Sequence, residues 1–338
     1  MAPVSTPSHG VHLRRTDENA AAIDAFVRQH GERVGVDRVV ETADRSAVRT
    51  PVPGLCVDWG FRWDDQDVAT TRWWPQGITN SAHVPGVERR LLVTSWYARD
   101  ARGSRITVVD LDTLRYRHVL LVVPTPAGDP AGYRPLGVHA GGLVWGGPYL
   151  HVAGTRRGLF SCRMDDITEV EPGPASLGRR FVLPVRFAYD AGDDRDEMRY
   201  SFLSLDRSSD IPHLVAGEYA RGDMTRRLVR YPLDPDTYYL AAEHDGVSRP
   251  VSFDERGVGH MQGVAIVHDR FYVTTSRGRW RLGAVKVGRP GAFRTHAQAT
   301  PVGPEDLCYW EDDGDRLWSQ TEYPTRRFVF CMKRSVFG

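Results

Sequence analysis

The 338-residue sequence has little cysteine, almost no lysine and no long hydrophobic run. Its four cysteines, Cys56, Cys162, Cys308 and Cys331, are too scattered for a zinc knuckle or a disulfide framework, so buried free thiols are expected. No stretch of about eighteen apolar residues occurs, which gives no membrane-spanning helix to expect. The opening residues, MAPVSTPSHGVHLRR, hold no apolar segment of the kind a secretory signal needs. As written, the sequence is expected in the cytoplasm, or outside the cell if a leader has been removed. An excess of one charge is missing too: the formal net charge is +1, which argues against a nucleic-acid partner. Lys286 and Lys333 are the only lysines; the remaining basic residues are arginines, a bias of GC-rich genomes that supplies planar, bidentate donors. GxSxG, P-loop, strand-linked GxGxxG, HExxH and CxxC motifs are all absent, so the chemistries that rest on them have no support. The acidic stretch AGDDRDE (191–197) lacks EF-hand spacing and reads as a solvated loop.

Glycine and proline, by contrast, number 33 and 22 and punctuate a chain rich in aromatic and branched residues, the mix of many short strands and tight turns. One short phrase recurs. VHAGGLVW (138–145) and HMQGVAI (260–266) align His139 with His260, Gly142 with Gly263 and Leu143 with Val264. WPQGIT fits the same frame through Gln76 and Gly77, and GPEDLCYW fits it through Glu305 and Leu307. RYSFLSLD gives a weaker copy, with Tyr200 at the glutamine position and Phe202 at the valine position. After each phrase come two further strand-like runs, and fourth strands are available in YRHVLLVV (116–123) and RRFVLPVR (179–186). Stacked units of three to four antiparallel strands, repeated five times, predict an all-β, five-bladed β-propeller.

A propeller must close its ring, since an open edge would leave a strand unpaired. The last unit lacks a fourth strand of its own, so GLCVDWGF, with 54–61 as the closing strand, is expected to pair near 328–332. That would bring Cys56 near Cys331, where a bridge is one outcome. The expected organisation is an N-terminal extension over 1–53 and the propeller over 54–338. Within the extension, 16–35 reads as one amphipathic helix, capped by Thr16 or Asp17, with Ile23, Phe26 and Val27 as its stripe and Gly35 as its stop. It either covers an outer groove or lids one mouth of the channel.

If the phrase starts the innermost strand of each blade, side chains two apart line the channel. One ring is then Gln76, Gly141, Tyr200, Gln262 and Glu305, and the next is Trp74, His139, Met198, His260 and Gly303. A purely structural channel would repeat one small residue, whereas these rings are polar and unlike from blade to blade, as ligand pockets are. His139 and His260 are either hydrogen-bonded ties between blades or acid/base and ligand-binding groups that titrate near neutrality. With Glu305 they could also form a two-histidine, one-carboxylate metal site, although no spacing demands it. Glu305 is a candidate acid/base or anchoring carboxylate, and Asp306 is expected on the other face in a structural role. A second set lies at the ends of the second strands: Trp96, Glu218, Arg277, Glu322 and Arg326. The repeated Glu-Tyr pairs (218–219 and 322–323) followed by arginine read first as a turn-and-ion-pair device. Any of these that face the mouth of His139 and His260 would suit an anionic or polyhydroxylated ligand.

On WWPQGI, VHAGGLVW, HMQG and GPEDL, the chain over about 72–330 resembles uncharacterised five-bladed β-propeller proteins of GC-rich bacteria, many of them labelled secreted. The resemblance implies the fold and little else. There is also a loose similarity to propellers of the lactonase and strictosidine-synthase types. Those have six blades and a metal-bound or acidic axial site, and five are counted here.

Two functions fit. The first is an enzyme that binds a small polar or polycyclic metabolite at one mouth and performs acid/base chemistry on it: cyclisation, elimination, isomerisation or hydrolysis. In it His139 and His260 exchange protons and Glu305 assists, Gln76 and Gln262 bind substrate oxygens, and Trp74 and Tyr200 stack on it. The second is a non-catalytic module for a ligand or glycan. Neither requires a cofactor, a nucleic acid or a membrane, and a monomer is expected.

Overall fold

The repeated phrase starts, in each unit, the strand nearest a central axis, and hairpins build outward from it. A computed structural model describes residues 10–125, 129, 132–192 and 197–338. Residues 193–196 of the acidic stretch lie outside the described residues. Blade 1 runs outward through Trp73–Asn80, Leu91–Ala98, Ser104–Asp110 and Arg115–Pro124. Blade 2 uses Leu143–Gly146, Tyr149–Ala153, Leu159–Arg163 and Phe181–Gly192, and blade 3 Phe202–Asp206, His213–Gly217, Leu228–Pro232 and Ser252–Asp254. Blade 4 uses Met261–Val267, Arg270–Thr275, Gly283–Arg289 and Ala292–Thr300. Blade 5 takes Pro304–Trp310, Arg316–Thr321 and Phe328–Lys333 from the end of the chain and Trp59–Arg62 from its beginning. The protein is a five-bladed β-propeller.

Closure rests on antiparallel pairing of Phe328 with Arg62 and of Cys331 with Trp59. The closing strand is shorter than the 54–61 span read from sequence, because the chain before it turns away: the Leu55 and Cys56 amides donate to the carbonyls of Gln298 and Ala299 in blade 4. Cys56 and Cys331 therefore do not bridge, and all four cysteines are free thiols. Cys331 stands opposite Trp59, whose carbonyl its Sγ approaches at 3.6 Å.

The N-terminal segment is not the single helix expected over 16–35. Its chain first runs extended along the outer strand of blade 2, pairing Leu13 with Ala191, and the amides of Thr16 and Asn19 continue that contact to Ala188 and Arg186. Neither Thr16 nor Asp17 caps the helix; it starts after Asn19, whose side chain donates to the Val185 carbonyl instead, and covers Ala20–His30. Gly31–Arg33 then forms a strand against Thr168–Val170. A Cβ on Gly31 would stand 2.1 Å from the Glu169 carbonyl oxygen, so this close pairing, more than helix propensity, decides the break. The chain turns at Gly35 (φ +65°) into a second helix, Gly35–Glu41. Leu13, Ile23, Phe26 and Val39 are buried. None of these segments lines a channel mouth; they cover outer edges of the blades.

A polar cluster is sealed beside blade 1. Asp67 accepts from Arg105 Nη2 (2.7 Å), the Tyr116 hydroxyl (2.8 Å) and His118 Nε2 (2.9 Å), and the Arg105 guanidinium stacks between the rings of Trp73 and Trp96. Each of the four side chains has at least one charged or hydrogen-bonded partner here, although the Arg105 Nε has none, and that pairing is what lets the cluster stay buried.

Candidate functional site

The innermost strands approach so closely that side chains are excluded at one level. A Cβ on Gly142 would come within 2.0 Å of the Leu203 amide, and one on Gly263 within 2.3 Å of the Leu307 amide. This is why the phrase keeps its glycine in blades 2 and 4. Immediately beside that level the strands of blades 1, 4 and 5 are bulged, between Pro75 and Ile78, Met261 and Gly263, and Pro304 and Leu307. A bulge breaks strict alternation and re-aims consecutive side chains.

In blade 5 this has a direct consequence. Glu305 faces the mouth, while Asp306, expected on the opposite face, reaches across the axis. Its Oδ2 accepts from the Ile78 amide of blade 1 (3.1 Å) and the Leu143 amide of blade 2 (3.2 Å), and the Leu203 and Leu307 amides also favour its charge. Asp306 is fully buried and ties the blades together at the axis. Burial raises its pKa well above the usual carboxylate value against the pull of those amides.

Above this plug opens a cavity of about 910 Å³, within the size range of small-molecule sites. Gln76, His139, His260, Gln262, Glu305, Arg277 and Glu322, from the residues singled out in the sequence, all line it. The other five do not. Tyr200 is buried with its hydroxyl 2.8 Å from that of Tyr231. The reason is register: Leu203 occupies the level of Ile78, Leu143 and Leu307, so blade 3 is displaced by one residue from the sequence alignment. A one-residue slip exchanges the two faces of a strand. Ser201 and Arg199 thus take the places assigned to Tyr200 and Met198, and both line the cavity, whereas Met198 is buried.

Trp74 is buried, donates Nε1–H to the Thr71 carbonyl and meets Tyr323 edge-on at 6.0 Å, leaving no face for a ligand. Trp96 is core, packed on Trp63 and Arg105. Glu218 is sealed in with Arg227, which donates to it through Nε (3.0 Å) and Nη2 (2.8 Å), whereas Arg221, the arginine that follows the Glu-Tyr pair, donates to the Tyr219 hydroxyl. Arg326 lies outside the lining, its guanidinium over the rings of Trp280 (5.3 Å) and Tyr323 (5.9 Å). Sequence reasoning gave no site role to Ser201, Arg199, Arg221, Met224 and Arg281; the arginine density of SRGRWR (276–281) was the one available signal for the last.

The titratable groups fall into two kinds. Glu305 is 4% exposed and accepts from Gln262 Nε2 at 3.0 Å. Burial first, then the charges of Glu322 and Asp306, push its pKa well above the ordinary carboxylate value. Glu322 is also raised by burial, opposed by its bond with Tyr323 and by Arg279, Arg327 and Arg221. His139 shifts the other way: desolvation among the cavity walls favours the neutral imidazole, although solvent reaches the ring. The Tyr97 ring packs 4.3 Å from it, tilted by 38°. His260 is exposed on the opposite wall, held in a left-handed backbone conformation (φ +61°) by its amide bond to the Ala220 carbonyl. Among the described residues no three His, Cys, Asp or Glu side chains are grouped to hold a metal ion. A smaller cavity of about 280 Å³ at the other end of the channel, lined in part by Trp145, Arg207 and Tyr309, contains none of the residues expected to act.

No protein-family model matches the sequence, and no curated protein matches it. Among solved structures, the chain is similar to a PQQ-bound aldose sugar dehydrogenase from Streptomyces coelicolor at 14% identity and a TM-score of 0.42, covering 86% of this chain and 98% of that one. It is also similar to a GH43_1 enzyme from Xanthomonas citri at 13% identity and a TM-score of 0.39, covering 87% and 92%. A thermostable family-43 glycoside hydrolase matches at 10% identity and 0.39, covering 78% and 90%. Likeness at this level carries no chemistry over to this chain.

Proposed function

We propose that the protein is an enzyme that binds a small polar metabolite in the cavity above Asp306 and catalyses a proton-transfer reaction on it, of the elimination, isomerisation, cyclisation or hydrolysis type. The observation that carries this reading is the placing of Glu305 and His139 on one cavity with environments that favour the neutral form of each, a protonated carboxyl and an unprotonated imidazole. That is how a site obtains an acid and a base at one pH.

Glu305 serves as the acid. The Gln262 amide occupies Oε1, so Oε2 is the oxygen free to carry a proton toward a substrate oxygen. Once that proton leaves, the carboxylate is buried and faces Glu322, which favours rapid reprotonation and return to the starting state. His139, neutral, accepts a proton from the substrate on the other side, its ring plane set by Tyr97. His260 serves as a second proton carrier at the wall, and Gln76 and Ser201 offer hydrogen bonds to substrate oxygens.

The test is a turnover screen of small polar metabolites against the wild-type protein, Glu305→Gln and His139→Asn. A substrate turned over by the wild type and slowed about 10²-fold or more in each variant is the expected result. A ligand that binds the wild type without turnover, or turnover unaffected by both substitutions, would sink the catalytic reading and leave a binding module.

A further inference from the structure

The rim of this mouth holds two arginines that have no polar partner among the described residues. Arg277 and Arg281 both line the cavity, both are exposed, and among the described residues neither makes an ion pair or a hydrogen bond. Their neighbours differ: Arg221 is engaged by the Tyr219 hydroxyl at 2.7 Å and Arg199 by Thr225 and Glu218. Two unpaired guanidiniums on one concave site create a local positive field and offer planar, bidentate donors suited to a carboxylate or phosphate.

Between them in the sequence stands Trp280, 82% exposed. It does not hang free, for the Arg326 guanidinium sits 5.3 Å from its ring centre, the same guanidinium reaches Tyr323 at 5.9 Å, and Arg279 covers Tyr323 at 5.2 Å. This alternating stack ties the indole to Tyr323, which lines the cavity together with Met224, itself 42% exposed, while Trp280 stands outside the lining. A supported, solvent-facing tryptophan next to unpaired arginines is an arrangement for a flat or apolar body that carries an anion.

We infer that the substrate of this site is a ring-bearing small anion, its carboxylate or phosphate taken by Arg277 and Arg281 and its ring laid on Trp280. This rests on the acid/base reading of the cavity, and it names the substrate class. The reacting group would then enter toward Glu305 and His139 while the anion stays at the rim.

Binding can be measured without turnover, by calorimetric titration of the full chain at low salt. The compounds are phenyl phosphate, 3-phenylpropionate, neutral 2-phenylethanol and inorganic phosphate. At least one ring-bearing anion should bind about tenfold or more tightly than both the alcohol and inorganic phosphate. The double variant Arg277→Gln/Arg281→Gln should lose about tenfold or more of that affinity, as should Trp280→Ala. These side chains are exposed, so the variants should melt like the wild type. Equal binding of the neutral alcohol, or an unchanged affinity in the double arginine variant, would overturn the inference. Inorganic phosphate binding as tightly as phenyl phosphate, or no loss in Trp280→Ala, would overturn it as well. Failure here leaves the acid/base reading standing. Intact anion binding with no reaction found for any ring-bearing anion would remove that reading alone.

Discussion

Gln262 donates its side-chain amide to Oε1 of Glu305 at 3.0 Å, joining blade 4 to blade 5 at the floor of the mouth. A carboxyl nearly out of contact with water is thereby fixed in orientation by a neutral partner, with no cation to hold its charge. Such a group keeps its proton to higher pH than a free carboxyl does.

Glu305→Gln should therefore separate function from stability. Turnover should fall by about 10²-fold or more, because the amide cannot donate and recover a proton. Stability should move in the other direction. The folded carboxyl binds its proton more tightly than the unfolded one, so wild-type stability is lost as pH rises from the unfolded value of 4.5 through the higher folded value. The variant has no such loss. Denaturant titrations from pH 4 to 8 should show Glu305→Gln gaining on the wild type as pH rises; parallel curves would show that Glu305 is charged in the folded protein.

His139 should supply the base. Desolvation lowers the His139 pKa, so its neutral form persists below the ordinary histidine range. The acidic limb of kcat/KM should accordingly fall below pH 6.5, and His139→Asn should remove most activity by about 10²-fold while leaving the melting temperature nearly unchanged. An acidic limb that survives in His139→Asn, with activity retained, would pass the role of base to His260.

Asp306 should behave as structure. Removing its carboxylate in Asp306→Ala strips acceptors from the Ile78 and Leu143 amides, both inside the propeller axis. An orphaned buried donor costs about 1–3 kcal/mol, so a loss of several kcal/mol in unfolding free energy is expected, far beyond that of any rim substitution. A loss below about 1 kcal/mol would mean that water replaces the carboxylate.

The contrast between Glu305 and Asp306 also shows what could be read from the sequence. The repeat exposed the five blades, and the inner-strand residues Gln76, His139, Gln262 and Glu305 followed from the phrase because side-chain alternation within one blade is local. Two things were not local. The bulges that turn Asp306 onto the axis are set by close approach of neighbouring blades, and nothing in GPEDL announces them. The one-residue displacement of blade 3 was hidden because RYSFLSLD has apolar residues on both faces, Phe202 and Leu203 being equally buried. Alternation cannot select a register there, so Tyr200 was read into the channel and Ser201 out of it. Trp74, Trp96 and Glu218 were misplaced for a related reason: aromatic and charged residues at strand ends serve a core or an ion pair as readily as a ligand, and only the partners (Thr71, Trp63, Arg227) distinguish the cases.

Two buried histidines should set the acid side of the stability curve. His151 is sealed inside, with Nδ1 2.8 Å from the Ser161 hydroxyl and Nε2 3.1 Å from the Tyr238 carbonyl, and burial lowers its pKa to about 4. His118, bonded to Asp67 and Thr107, is lowered by burial and by Arg105 to about 3. Each is neutral when folded and gains a proton near pH 6.5 when unfolded. Their contribution is therefore complete above that value and is lost as pH falls through the folded pKa. At about 1.4 kcal/mol per pH unit, His151 alone costs the fold about 3 kcal/mol between pH 6.5 and 4. His151→Gln cannot take up that proton. Its unfolding free energy, lower than wild type at pH 8 through imperfect hydrogen bonding, should fall less steeply on acidification, and the two curves should converge toward pH 4. Glu305 and Asp306, both raised by burial, titrate in the opposite sense and are common to both proteins, so the difference between the curves isolates the histidine. A constant gap from pH 8 to 4 would show that His151 is protonated in the folded state and that its ring has access to water.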